Sequence, residues 1–280
     1  MAINAYTGLQ GSGKSFEVMR SVVLEAIFAG RNVVTNIDGI NEERIHAYLV
    51  KKREADPDRL GHVIHVSNAR VKEPAFFPDE ERLDLVSVVQ PGDIVAIDEA
   101  WRFWGTDGGK LSHEHMQFFR MHRHYTHPDT GVACDVVLMT QDITGLHRNL
   151  RNVIEFSFLM TKLKSLGLTQ MYRVQIYEGW KQNKKTQIDV HNKKYDAEIF
   201  PLYKSYAGGQ GKENAIDKRA NILTNKKLWL IALGVVGFIG FGIWNTWRFF
   251  HRTPAGTPAP VVKEAEWQLL AGHYSSPYFF

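Results

Sequence analysis

Residues 8–15 read Gly-Leu-Gln-Gly-Ser-Gly-Lys-Ser, filling every specified position of the phosphate-loop pattern G-x-x-x-x-G-K-[ST]. Each residue type there has a physical task. Gly8, Gly11 and Gly13 let the backbone turn so that successive N–H groups point at one phosphate. Lys14 brings a compact positive charge for the outer phosphates, and the Ser15 hydroxyl is suited to ligate Mg2+. Upstream, Ile3-Asn4-Ala5-Tyr6-Thr7 reads as a short buried strand. Downstream, Phe16, Met19, Val22, Val23, Ala26 and Ile27 recur at helical spacing. A phosphate would therefore sit at a helix N-terminus, where unpaired donors and the helix dipole favour an anion.

Working outward, Gly30-Arg31-Asn32 turns the chain into Val33-Val34-Thr35, so the unit is β-loop-α-β and a parallel sheet is expected. Residues 41–58 are charged and helix-prone, His62 to Val66 reads as a strand, and residues 73–78 as a rigid loop. Ile94-Val95-Ala96-Ile97 is a continuous apolar run ending in Asp98-Glu99, as a central parallel strand would deliver to the nucleotide edge of a sheet. Asp98 is the expected Mg2+ carboxylate and Glu99 the expected general base for an attacking water. Asp-Glu also suits a helix start at Ala100-Trp101-Arg102-Phe103. A further strand, residues 135–140, ends in Gln141-Asp142, where Gln141 is either a sensor of the terminal phosphate or a turn cap. Arg148 and Arg151 follow as candidate arginine fingers for a neighbouring subunit's nucleotide, with Arg120 and Arg123 as rivals. Residues 156–160 and 172–177 flank Ser165-Leu166-Gly167 as a hairpin extending the sheet.

His113, His115, His122, His124 and His127 crowd one segment without the His-Glu-x-x-His spacing, so a polar face towards a partner subunit or phosphates is expected rather than a metal site. Cys134, the single cysteine, precludes an internal disulfide and reads as a small core residue.

Charge divides the chain of 280 residues. Residues 1–161 carry 17 Lys+Arg against 22 Asp+Glu, whereas residues 162–227 carry 14 against 6. The basic block is expected to face single-stranded DNA or an anionic membrane. The chain enters the phosphate loop at once, so no secretory signal is expected there. Residues 228–244, LWLIALGVVGFIGFGIW, are free of charge, and Asn245-Thr246-Trp247 extend them to about 30 Å of helix. Lys226, Lys227, Arg248 and Arg252 fence this stretch, and Trp229, Trp244 and Trp247 stand near its ends. Cations are more numerous before the span than after it, so residues 1–227 are expected to be cytoplasmic and the tail to lie outside. The tail begins with an extended Pro-rich linker and ends in Pro277-Tyr278-Phe279-Phe280.

The phosphate loop, Ile97-Asp98-Glu99-Ala100-Trp101, His122-Arg123-His124 and Leu138-Met139-Thr140-Gln141-Asp142 occur in that order. With Arg148, Arg151 and one late span, the series resembles the zonular occludens toxin (Zot) family, which is similar to the gene I assembly proteins of filamentous phages. The resemblance implies an α/β P-loop NTPase with a mostly parallel central sheet, followed by one transmembrane helix and a short C-terminal tail. The expected division is an ATPase domain over residues 1–180, a basic juxtamembrane segment over 181–227, a transmembrane helix over 228–247 and an external tail over 248–280. It also implies ATP and Mg2+ as cofactors, held by Gly8, Gly11, Gly13, Lys14, Ser15, Asp98 and Glu99, with Gln141 beside them. The implied activity is ATP-driven extrusion of phage single-stranded DNA through the bacterial inner membrane as coat proteins are added. The implied partners are further copies in a ring, the DNA and coat proteins, and an outer-membrane secretin channel; the tail would be periplasmic. The segment past the span is short and lacks cysteine, and no toxin activity is inferred from it. A DNA translocase or coupling ATPase of another secretion route, and a non-hydrolysing nucleotide-dependent scaffold, are the alternative readings.

Overall fold

The computed structural model describes residues 2–82, 86–107, 111–163, 170–204 and 226–251. The elements fall into two units, residues 1–225 and 226–280. In the first, eight strands form one sheet in the order β3-β2-β4-β5-β1-β6-β7-β8. They are β1 (Ile3–Thr7), β2 (Val33–Thr35), β3 (Val63–His65), β4 (Ile94–Ile97), β5 (Asp135–Met139), β6 (Phe156–Lys162), β7 (Met171–Glu178) and β8 (Gln187–Lys194). The pairs from β3 to β6 are all parallel, and β6–β7 and β7–β8 are antiparallel.

The strand sequences explain these places. β2 and β4 are buried along their whole length, because helices cover both faces of a parallel sheet. In β7, Tyr172, Val174 and Tyr177 are buried between partly exposed neighbours, as a half-covered antiparallel strand requires. β8 forms the outer edge and carries Asp189, His191, Asn192, Lys193 and Lys194, a charged composition that discourages pairing with another chain. The boundary expected at residue 180 therefore falls inside the sheet. The 181–194 stretch ends in a strand there, because its polar and charged side chains are tolerated on a solvated edge.

On one face, α1 (Lys14–Val18) runs through a π-helical turn (Met19–Val23) into α2 (Leu24–Phe28). Beside this rod lies α3 (Glu42–Arg53), whose first turn is capped by Asn41 Oδ1 accepting from Arg44 N at 2.8 Å. Phe16, Met19, Val23, Ile27, Ile45 and Leu49 share the core on this face. The rod also buries a carboxylate. Glu17, 3% exposed, accepts hydrogen bonds from Tyr172 Oη at 2.5 Å and Ser21 Oγ at 2.8 Å, and pairs with Lys193 Nζ at 2.5 Å.

The other face is covered by α4 (Asn68–Val71), α5 (Trp101–Trp104), α6 (His113–Met121) and α7 (Arg148–Arg151). Phe76 and Phe77, in the stretch expected to be a loop, are fully buried here; Phe77 stacks on Phe118 at 4.0 Å between centroids. Cys134 is buried, and burial pushes its thiol up to about 11, as expected of a core residue.

The histidine cluster departs from its expectation. His115 and His122 point inward and are buried. The Trp104 indole N–H donates to His115 Nδ1 at 3.0 Å, leaving Nε2 to donate to the Glu73 carbonyl at 3.0 Å. Such a ring must be neutral, and burial lowers its pKa from 6.5. No metal-holding group of His, Cys, Asp and Glu occurs among the described residues. Because the folded-state pKa is the lower one, His115 stability is complete above 6.5 and is lost as pH falls through the folded value. Stability is expected to fall between pH 7.5 and pH 5, by up to about 1.4 kcal/mol per pH unit per group, and the unfolding midpoint with it. A His115→Gln variant should show a smaller drop by thermal unfolding at both pH values; a drop of unchanged size would count against this account.

The second unit is α8 (Lys226–Phe250). Within residues 227–250 an 18-residue stretch has a mean hydropathy of 1.9, and the helix is long and apolar enough to cross a membrane. The expected tail from residue 252 onward and the remainder of the basic segment, 205–225, lie outside the described residues.

Candidate nucleotide site

β1, β5 and β4 end side by side at one edge of the sheet, and their C-terminal residues make the site. The loop after β1 takes the backbone shape its glycines permit: φ is 136° at Gly8, 73° at Gly11 and 100° at Gly13, all in the region that L side chains avoid. A Cβ on Gly8 would lie 2.4 Å from the Met160 carbonyl oxygen, a backbone atom of β6 that cannot step aside. Gly8→Ala is accordingly expected to lower stability by roughly 1–3 kcal/mol. Chemical denaturation checks this, and an unchanged midpoint would refute the steric account. Gly8 N is fixed by the Gln141 carbonyl at 3.1 Å, tying the loop's start to the end of β5.

Lys14 and Ser15 open α1 directly behind the loop. Lys14 is 7% exposed, and its Nζ donates to the carbonyls of Gly8 at 2.9 Å and Leu9 at 3.4 Å. Burial lowers its pKa, and the charges of Asp98 and Glu99 oppose that shift. Ser15 Oγ donates to Asp98 Oδ2 at 3.1 Å. Burial raises the Asp98 pKa, the Glu99 charge adds to this, and the hydrogen bonds from Glu99 N and Ser15 oppose it. A hydroxyl and a carboxylate in contact at a phosphate loop form the hard-oxygen donor set that Mg2+ takes.

Glu99 stands in the left-handed region at φ 50°, an outlier for a glutamate. Its N–H donates to Asp98 Oδ1 at 2.8 Å, and its carboxylate accepts from the Trp101 indole N–H. Of the two sequence readings of Asp98-Glu99, the helix start is also realised, because α5 begins at Trp101. Both carboxylates nonetheless remain at the strand edge.

Gln141 is exposed and lies between the two halves of this edge. It lines a cleft of about 480 Å³ with Gly8, Gln10 and Gln182, and another of about 420 Å³ with Trp101, Arg102 and Thr140. The pocket holding Lys14, Ser15, Asp98 and Glu99 is smaller, about 190 Å³. The arginines expected as fingers stand elsewhere. Arg148 is exposed on α7, and Arg151 lies over the Trp180 ring at 5.0 Å. Arg123 pairs with Glu155, whose N–H bonds to Ile3 at the opposite end of β1 from the loop. None of these three lines the clefts around Gln141.

Sequence reading missed several residues of the site. Asn36, at the end of β2, accepts from Asp98 N at 2.7 Å and donates to Asp98 O at 3.1 Å, clamping the carboxylate's backbone. Arg102, exposed beside Trp101, lines the second cleft together with Gln141. Tyr195 donates to the Ser12 carbonyl at 3.2 Å. An Asn after a strand and a basic residue in a short helix carry no motif that would single them out.

A glycine loop between β1 and its helix, a carboxylate at the end of β4 and β5 inserted between the two define a P-loop NTPase. Comparison with known proteins gives its lineage. The model of the zonular occludens toxin (Zot) family matches residues 2–210, and the chain belongs to that family. It is 25% identical over 263 residues to the Gene 1 protein of Xanthomonas phage phiLf, covering 92% of this chain and 57% of that protein. It is also 25% identical over 236 residues to the zona occludens toxin of Vibrio cholerae serotype O1, covering 76% and 54%. The chain thus spans little more than half the length of either relative. Among solved structures, the N-terminal domain of zonular occludens toxin from Neisseria meningitidis aligns at TM-score 0.48 and 20% identity, covering 72% of this chain and 98% of that one. The genome packaging NTPase of Sulfolobus turreted icosahedral virus 2 aligns at 0.42 and 14%, covering 68% and 96%.

Proposed function

We propose that this chain is an ATPase, anchored in the bacterial inner membrane by α8, that drives the assembly and extrusion of filamentous phage. The observation that carries the reading is the contact of Ser15 with Asp98 behind a glycine loop, in a chain related to a phage Gene 1 protein. In this reading the loop N–H groups and Lys14 hold the triphosphate of ATP, and Ser15 and Asp98 hold Mg2+. The bound cation neutralises charge on the terminal phosphates. Glu99 takes the proton of the attacking water, and Gln141 positions that water or senses the terminal phosphate. Arg148 or Arg151 completes the site in a ring of copies, reaching a neighbour's nucleotide. The moving load is single-stranded phage DNA together with coat proteins, passed on to an outer-membrane secretin channel. In this reading the catalytic unit is cytoplasmic and the tail periplasmic. The apolar length of α8 and the cations on its N-terminal side support that orientation.

The decisive experiment is genetic. In a host carrying the phage, loss of this gene should leave phage DNA replicating while virion release stops. Continued release, or a block at replication instead, would overturn the assignment.

A further inference from the structure

Tyr195 opens a segment, residues 195–204, that lies against the phosphate loop. The segment leaves the end of β8 and crosses to the loop after β2. Its ends are fixed by backbone hydrogen bonds, Tyr195 N to Gln170 O at 3.0 Å and Lys204 N to Asp38 O at 2.9 Å. Between them Asn41 N donates to Leu202 O at 3.0 Å, so the strap is also sewn to the start of α3.

Its aromatic residues face the helix behind the loop. The Tyr195 ring meets Phe16 edge-on at 5.0 Å and stacks on Tyr172 at 4.6 Å, and Phe200 lies 5.0 Å from Phe16. Contact with the loop itself is close. A Cβ on Gly13 would fall 2.7 Å from Tyr195 Oη, so the glycine there serves the strap as well as the phosphate. The cleft that contains Lys14, Ser15 and Asp98 is lined on the strap by Phe200, Tyr203 and Lys204. Phe200 is only partly buried, so ring surface stays open to the cleft.

A triphosphate seated in the loop has a direction forced on it. Its outer phosphates meet Lys14 and the carboxylate edge, and the inner one passes the first N–H groups of α1 near Ser15 and Phe16. The ribose and base must then lie within a few bond lengths of Phe16. An aromatic wall at that point offers a flat base a stacking surface, and Lys204 stands at its rim with its ammonium 3.6 Å from Asp38 Oδ2.

We propose that the strap of residues 195–204 is the subsite for the nucleoside half of the nucleotide, with Phe200 as its stacking wall. The proposal rests on the reading of the loop as a nucleoside triphosphate site. It makes Phe200 a binding residue some 185 positions away from the loop that holds the phosphates.

The test compares ATP with inorganic tripolyphosphate, each with Mg2+, titrated calorimetrically into the full chain in detergent. The wild type should bind ATP more tightly than tripolyphosphate. Phe200→Ala should weaken ATP about 10-fold or more, the scale of one lost base–aromatic stack, and leave tripolyphosphate unchanged. Phe200→Tyr should restore the ATP affinity, which separates stacking from any loosening of α1. Equal loss of both ligands in Phe200→Ala, or loss of neither, would overturn the subsite. So would a wild type that binds tripolyphosphate as tightly as ATP, although the phosphate site would then stand. A wild type that binds neither ligand would overturn the nucleotide reading itself.

Discussion

Lys14→Ala is expected to abolish measurable ATP binding. The Lys14 ammonium is nearly enclosed and donates to the carbonyls of Gly8 and Leu9 in its own loop. A terminal phosphate offers the same Nζ a full negative charge in place of two weak acceptors. The site also holds Asp98 and Glu99, and without Lys14 an incoming triphosphate would meet two carboxylates with no side-chain cation among the loop residues. Truncating one partner of a buried charge pair costs about 2–5 kcal/mol, or roughly 30- to 5,000-fold in affinity. Lys14→Arg should fail as well, because a planar guanidinium does not fit where a compact ammonium is enclosed. Equilibrium binding to the full chain checks both variants. ATP affinity within a few-fold of wild type in Lys14→Ala would refute the assignment of the loop.

Glu99→Gln should separate binding from turnover. The amide keeps the size of the carboxylate, so the loop, Ser15 and Asp98 are untouched and ATP should bind as before. Losing a positioned general base costs about 10²- to 10⁴-fold in rate. The expected result is a protein that holds ATP and scarcely hydrolyses it, measured as phosphate release at saturating nucleotide. Turnover within three-fold of wild type would remove Glu99 from the mechanism. The backbone at this position sharpens the expectation. A glutamate at φ 50° is held against its preference, and both its own N–H and its carboxylate are engaged, by Asp98 and by the Trp101 indole. Such restraint fixes where the carboxylate starts from when water and phosphate arrive.

How much of this was legible in the residues depends on distance along the chain. The loop, β4 with its carboxylates and the β6–β7 hairpin each announce themselves in one local stretch, through glycine spacing, an apolar run or alternation. Their meeting was inferable because β-loop-α-β units place strand ends together. His115 was misread because five histidines in one stretch look polar as a set. Burial instead selects two of them by helical phase, and Trp104 supplies the partner that makes a neutral ring tolerable in the core. β8 was hidden by its lysines, which on an edge strand protect rather than oppose sheet formation. Asn36, Arg102 and residues 195–204 join the site only through tertiary crossings, and their residue types are too common to be marked in advance. The Arg148 and Arg151 readings met the opposite difficulty: the motif position was plain, but their use depends on a neighbour that one chain does not contain.

The buried Glu17 has a mechanical meaning. It belongs to the rod that begins at the phosphate loop, yet its hydrogen-bond partner Tyr172 and its ion-pair partner Lys193 lie on β7 and β8. Prising those strands from the rod would strand a carboxylate without its cation, at about 3–5 kcal/mol for a broken buried pair. The outer strands and the loop are therefore geared together, like a handle cast in one piece with its key. A tilt of α1 at the phosphate loop would load Tyr172 on β7 and Lys193 on β8 together.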